Sequence, residues 1–191
     1  MKIIVLAPCL LSPFYVYRGP KDKEYKTSNE LLNLLAKHAE EITVLTYPCP
    51  EYKLIGWPRP PMSKEVFEKL GMSETAKTIV DFIERVLTEE KPEKVIFVGV
   101  KGSPTCGVFY TTSSDPEKFP YKIIEEFSYL NKKERIKLSK ELMEEQNFKV
   151  IPGKGVLFQI LKKRFPEAIY LEFDKDNIEE SLKQLDKHFK D

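Results

Sequence analysis

Ile3-Ile4-Val5-Leu6-Ala7-Pro8-Cys9 is an apolar run that stops at a proline and a cysteine. A short, continuous apolar run of this kind reads as a strand buried on both faces, the habit of parallel sheets. The pattern returns twice. Ile42-Thr43-Val44-Leu45-Thr46-Tyr47-Pro48 leads to Cys49, and Val95-Ile96-Phe97-Val98-Gly99-Val100 leads through a short polar turn to Cys106. If these runs are parallel neighbours, all three sulfurs emerge at one carboxyl edge, where open α/β sheets hold their ligands. The chain has only these 3 cysteines, so its whole thiol content converges there.

Working outward, helical patterns separate the strands. Thr27-x-x-Glu30 has the form of a capping box and precedes the apolar Leu31, Leu32, Leu34 and Leu35. From Pro48 to Pro61 the chain holds five prolines, which bars a helix interior or a central strand and predicts a rigid loop. A short helix is expected over about 64–70. Ser73 is expected to cap a longer helix carrying Ala76, Ile79, Val80, Ile83, Val86 and Leu87 at helical spacing. Residues 111–120 read as polar turns, and 121–147 as helix with a break near Asn131. Gly153-Lys154-Gly155 precedes a helix from Val156 to Arg164, a fourth strand follows at Ala168–Phe173, and a last helix at about 177–189. Alternating strands and helices predict one three-layer, Rossmann-like α/β domain over residues 1–191, with a mostly parallel sheet and a helical insertion at about 111–147.

At 191 residues one core can bury roughly 70% of the unfolded surface, so disulfides are not needed for stability. With 31 basic and 30 acidic residues the chain lacks a strong field for nucleic acid. Met1-Lys2 runs straight into a short apolar stretch with no small-residue cleavage site. No apolar stretch approaches the roughly 18 residues of a membrane span. A cytoplasmic protein is expected, where thiols stay reduced and recurrent cysteines favour metal or catalysis over disulfides.

A lone cysteine is usually a small buried hydrophobe, and the joint placement changes that reading. Three thiolates suit zinc with one open position. They equally suit three irons of a [4Fe–4S] cluster, leaving a fourth iron free. The 2 histidines, His38 and His188, fall on helices away from this edge and read as solvated or dipole-complementing residues rather than ligands. Glu51, two residues after Cys49, reads as a loop carboxylate or as a general base beside a metal. Ser103, three residues before Cys106, reads as support for the turn or as a hydrogen-bond partner of a substrate. Arg59 in Trp57-Pro58-Arg59-Pro60-Pro61, like Arg18, reads as a clamp on a carbonyl or carboxylate or as a substrate contact. The glycines before Val156 lack the lysine–serine signature of a nucleotide loop.

These pieces resemble the thiouracil desulfurase family of iron–sulfur proteins. The matching segments, in order, are Cys9-Leu10-Leu11, Tyr17-Arg18-Gly19, Cys49-Pro50-Glu51, Pro58-Arg59-Pro60-Pro61, Ser103-Pro104-Thr105-Cys106-Gly107 and Gly153-Lys154-Gly155-Val156. The resemblance spans about residues 3–165, interrupted by the insertion. It departs from the family pattern at Ser12, where glycine is typical, and in Tyr17-Arg18-Gly19, which lacks the usual aspartate. The glycine pair usual after the Cys-Pro-Glu motif is reduced to Gly56.

The resemblance implies a [4Fe–4S] cluster on Cys9, Cys49 and Cys106. It implies Glu51 assisting water and Ser103 orienting substrate, and non-redox hydrolysis of a thiolated pyrimidine of the thiouracil or thiouridine type. The partners it implies are a small thiolated base or nucleotide, with tRNA a further candidate and no membrane. A sulfur-transfer protein using the same cluster is one alternative. The other is a non-enzymatic α/β binding module with structural cysteines, Cys9 and Cys49 being a candidate pair.

Overall fold

The computed structural model describes residues 1–190. Four parallel strands form the central sheet: β1 (Lys2–Leu6), β2 (Ile42–Thr46), β3 (Lys94–Val100) and β6 (Ile169–Phe173), in the order β2-β1-β3-β6. Ile4 pairs with Val44 on one side and Ile96 on the other, and Val98 pairs with Leu171. Ile4, Val5, Leu6, Ile96, Phe97 and Val98 are fully buried, as continuous apolar runs in a parallel sheet require. β2 lies at the sheet's edge and alternates less cleanly, with Val44 exposed. Helices α1 (Asp22–Lys37), α4 (Met72–Glu90), α7 (Val156–Arg164) and α8 (Ile178–Lys190) supply the helical layers, α4 packing with α7 and α1 with α8. This is the expected three-layer, Rossmann-like α/β architecture.

Local departures have physical causes. α1 begins at Asp22, five residues before Thr27, because Glu24 Oε2 accepts the Lys21 backbone N–H at 3.0 Å. Asp22 and Glu24 also put negative charge on its first turn. Thr27 is instead a buried residue inside the helix. α3 (Lys64–Lys69) turns directly into α4 through Gly71 at φ +89°, so Gly71 and not Ser73 precedes the helix. The proline-rich loop carries one short helix, α2 (Pro50–Leu54), with Pro50 in the first turn, where a missing N–H costs nothing.

Residues 111–120 are not all turn. β4 (Tyr110–Ser113) pairs antiparallel with β5 (Lys149–Pro152) in a second, two-stranded sheet. Between them lie α5 (Ile123–Phe127) and α6 (Lys132–Glu145), and Asn131 caps α6 by accepting the Glu134 N–H at 3.1 Å. The break near Asn131 is therefore a helix start.

His38 is buried rather than solvated. Its ring nitrogens lie 2.9 Å from Glu41 and 2.8 Å from Asp186, tying the end of α1 to α8. No described helix is long and apolar enough to cross a membrane.

Candidate active site

Each strand of the central sheet feeds one cavity at the carboxyl edge. Cys9 follows β1, Cys49 follows β2, Cys106 follows β3 and Lys175 follows β6. The cavity has a volume of about 260 Å³, and all three cysteines line it. The thiols are free, so Cys9 and Cys49 are not a disulfide. Cys49 and Cys106 are buried, and Cys9 is partly exposed. Burial pushes the Cys49 thiol up to about 12, and the Glu51 carboxylate adds to the rise. Burial also raises Cys106 well above the ordinary thiol range, with Cys9, Cys49 and Glu51 adding while the Tyr47 hydroxyl, 3.4 Å from its sulfur, opposes. Without a bound cation both thiols stay protonated at neutral pH; a metal centre is what favours their thiolates.

Glu51 projects from α2 into the cavity with 13% of its side chain exposed, so it is not a surface carboxylate. Arg59 Nε and Nη2 both donate to its Oε2, at 3.1 and 2.8 Å, and Nη2 also donates to the Tyr15 carbonyl at 2.7 Å. Arg59 is buried, and its role is the clamp rather than the exposed contact. Thr105 Oγ1 donates to the other carboxylate oxygen of Glu51 at 2.8 Å, bridging the second and third cysteine loops. Ser103 lines the cavity, and its Oγ accepts the Cys106 backbone N–H at 2.9 Å, so it shapes the turn that presents Cys106.

Close backbone approach fixes that turn. A side-chain carbon at Gly99 would lie 2.2 Å from the Cys106 carbonyl oxygen, and one at Gly155 would lie 2.4 Å from the Thr105 carbonyl carbon. Only glycine fits at either position. Gly155 thus belongs to the site as packing: its N–H donates to the Gly107 carbonyl at 2.8 Å, and Leu157 N–H to the Thr105 carbonyl at 3.0 Å. Beyond Cys106, Glu172 on β6 accepts the backbone N–H groups of Val108, Phe109 and Tyr110 at 2.7, 2.7 and 3.1 Å.

The 111–147 segment returns to the cavity. Thr112 of β4, Met143 of α6 and Phe148 form part of its wall, and Tyr17 reaches Met143 across it, 3.9 Å from hydroxyl to sulfur. Arg18 contacts the Tyr17 hydroxyl at 3.4 Å and does not line the cavity. Sequence reasoning did not single out Thr105, Glu172, Met143, Phe148 or Lys175 for the site. Two of these carried a readable signal: Lys175 lies just past a strand end as the cysteines do, and Thr105 stands inside the motif around Cys106.

The donor set is three thiols around one cavity rather than a closed cage about a point. Among the described residues no three His, Cys, Asp or Glu side chains gather tightly enough to hold a single metal ion. Three cysteines from three separate loops, with no histidine near, fit a group that takes one thiolate at each of three irons.

Fold and site together define a three-layer α/β protein with a thiol-lined pocket at the carboxyl edge of its sheet. A family model described as "Putative 2-thiouracil desulfurase" matches residues 1–191, and the chain belongs to that family. The matched span takes in the 111–147 segment and α8. An uncharacterized protein of Methanocaldococcus jannaschii is 28% identical over 106 residues, covering 54% of this chain and 66% of that protein. The chain thus matches just under two thirds of that relative's length. No solved structure matches the chain.

Proposed function

We propose that this protein is a cytoplasmic desulfidase that removes sulfur from a small thiolated pyrimidine by hydrolysis, with a [4Fe–4S] cluster on Cys9, Cys49 and Cys106. The observation that carries this reading is the convergence of all three cysteines on one cavity that also holds Glu51 and Ser103. Family membership supports it. When bound, the cluster would supply an open iron, a Lewis acid for the thiocarbonyl sulfur.

The chain's own residues account for the rest. Arg59 and Thr105 hold the Glu51 carboxylate at a fixed angle, as an acceptor for the attacking water and its proton. Ser103 sets the Cys106 turn and offers a hydroxyl to the substrate. Pro60, Pro61, Met62, Met143 and Phe148 give the cavity an apolar wall suited to a flat ring. At about 260 Å³ the cavity is below the usual range of ligand pockets, which favours a small ligand beside the cluster.

The reaction needs no oxidant. Water's oxygen bonds to carbon, the carbon–sulfur bond breaks, and both hydrogens leave as hydrogen sulfide, or as hydrosulfide and a proton. Anaerobic reconstitution with iron and sulfide, followed by 2-thiouracil, tests this. The expected result is a brown protein absorbing near about 400 nm that releases sulfide and uracil in equal amounts.

A further inference from the structure

The cavity's charges are paired except for one. Arg59 is matched by Glu51 at 2.8 Å, and Lys101 by Asp174 at 2.9 Å. Lys175 lies between two aspartates in sequence yet pairs with neither. Asp174 is taken by Lys101, and Asp176 by Lys23 at 2.8 Å. Lys175 is partly buried, lines the cavity, and donates from Nζ to Cys9 Sγ at 3.7 Å. Among the described residues it has no carboxylate partner. A lysine half withdrawn from water without a counter-charge forgoes solvation that an exposed rotamer would keep. Held there, it puts positive potential on the Cys9 side of the pocket.

We propose that Lys175 is the residue of this pocket that holds the sulfur as it becomes negative, in the departing group and in the hydrosulfide product. The sulfur assignment rests on the desulfidase reading; the anion-holding charge does not. A neutral thiocarbonyl gains little from an ammonium group, and a sulfur that carries the charge of the breaking carbon–sulfur bond gains much more. The interaction is therefore stronger in the transition state than in the bound substrate. The proton balance is that of the hydrolysis given above.

The test begins on the full chain before reconstitution, reading alkylation of Cys9 by peptide mass spectrometry. Anionic iodoacetate and neutral iodoacetamide consume the same thiolate, so their rate ratio is independent of Cys9's own ionisation and reports the local potential. At low salt Lys175→Met is expected to lower that ratio about fivefold, Lys175→Arg to keep it, and 1 M salt to collapse the wild-type ratio toward that of the methionine variant. After reconstitution, Lys175→Met with unchanged iron content is expected to lose about tenfold or more in kcat/KM for 2-thiouracil, and Lys175→Arg to recover most of it. An unchanged alkylation ratio in Lys175→Met overturns the proposal. So does a lowered ratio with sulfide release at the wild-type rate. A lowered ratio in a protein whose wild type releases no sulfide keeps the anion-holding charge and overturns the desulfidase reading instead.

Discussion

At the amino edge of the sheet, His38 sits between Glu41 and Asp186, and Lys2 and Lys94 donate to the carbonyls of Phe189 and His188 at the end of α8. Asp186 also takes Lys190 and Lys37. Each of these groups has its partner inside the protein. At the carboxyl edge the protein builds an equally ordered pair, Arg59 and Glu51, but leaves three thiols and Lys175 without counter-charges. Burial keeps Cys49 and Cys106 protonated against their ordinary tendency at high pH. The amino edge holds the fold together. The carboxyl edge leaves three free thiols and a lysine without a carboxylate partner around one cavity, which suits the metal centre and the sulfur anion we propose for it.

Substitutions at the two edges should separate accordingly. Cys49→Ala or Cys106→Ala is expected to abolish iron retention and sulfide release, read by iron analysis and absorbance. Retention of a full cluster in either variant would break the contrast. Glu51→Gln is expected to keep the cluster and lower kcat about 10²–10⁴-fold, the usual contribution of a positioned base. Single-turnover sulfide release checks it. Gly155→Ala forces a carbon to within 2.4 Å of the Thr105 carbonyl carbon. It is expected to cost about 1–3 kcal/mol by overpacking, seen as a lower Tm and a weakened Cys106 turn.

The smallest effect belongs to the amino edge. His38→Gln is expected to lower Tm by about 3 °C at pH 6 and leave sulfide release unchanged. The hydrogen bonds to Asp186 and then Glu41 raise the His38 pKa above its ordinary value. Protonated histidine therefore favours the folded state. The clasp is complete below about pH 6.5, the unfolded value, and is lost as pH rises through the raised folded value. Thermal melts of wild type and variant should converge over that range, and a gap that widened with pH would contradict the assignment.

What could be read from the sequence was local. Ile3–Ala7, the run before Cys49 and Val95–Val100 are short apolar stretches whose burial and ends depend on immediate neighbours, so three strand ends and three cysteines were visible at once. The start of α1 was not, because Thr27 and Glu30 imitate a cap inside a helix that Glu24 begins. Nor was β4, which is polar and becomes a strand only when β5 returns from nearly forty residues away. Arg59 was legible as a clamp on a carbonyl or carboxylate, but that its carboxylate is Glu51, and that Thr105 joins it, was hidden for the same reason. Thr105 and Arg59 reach it across tertiary space, and no spacing announces such a meeting. His38 looked like a helix-end residue until α8 covered it.

The central claim is that the carboxyl-edge thiols serve sulfur removal rather than structure. The most direct test is sulfide release from 2-thiouracil by the anaerobically reconstituted protein, followed with uracil formation in the same sample. The account predicts equimolar sulfide and uracil over many turnovers. A protein that binds its full complement of iron and sulfide, yet leaves 2-thiouracil and thiouridine intact, would contradict it.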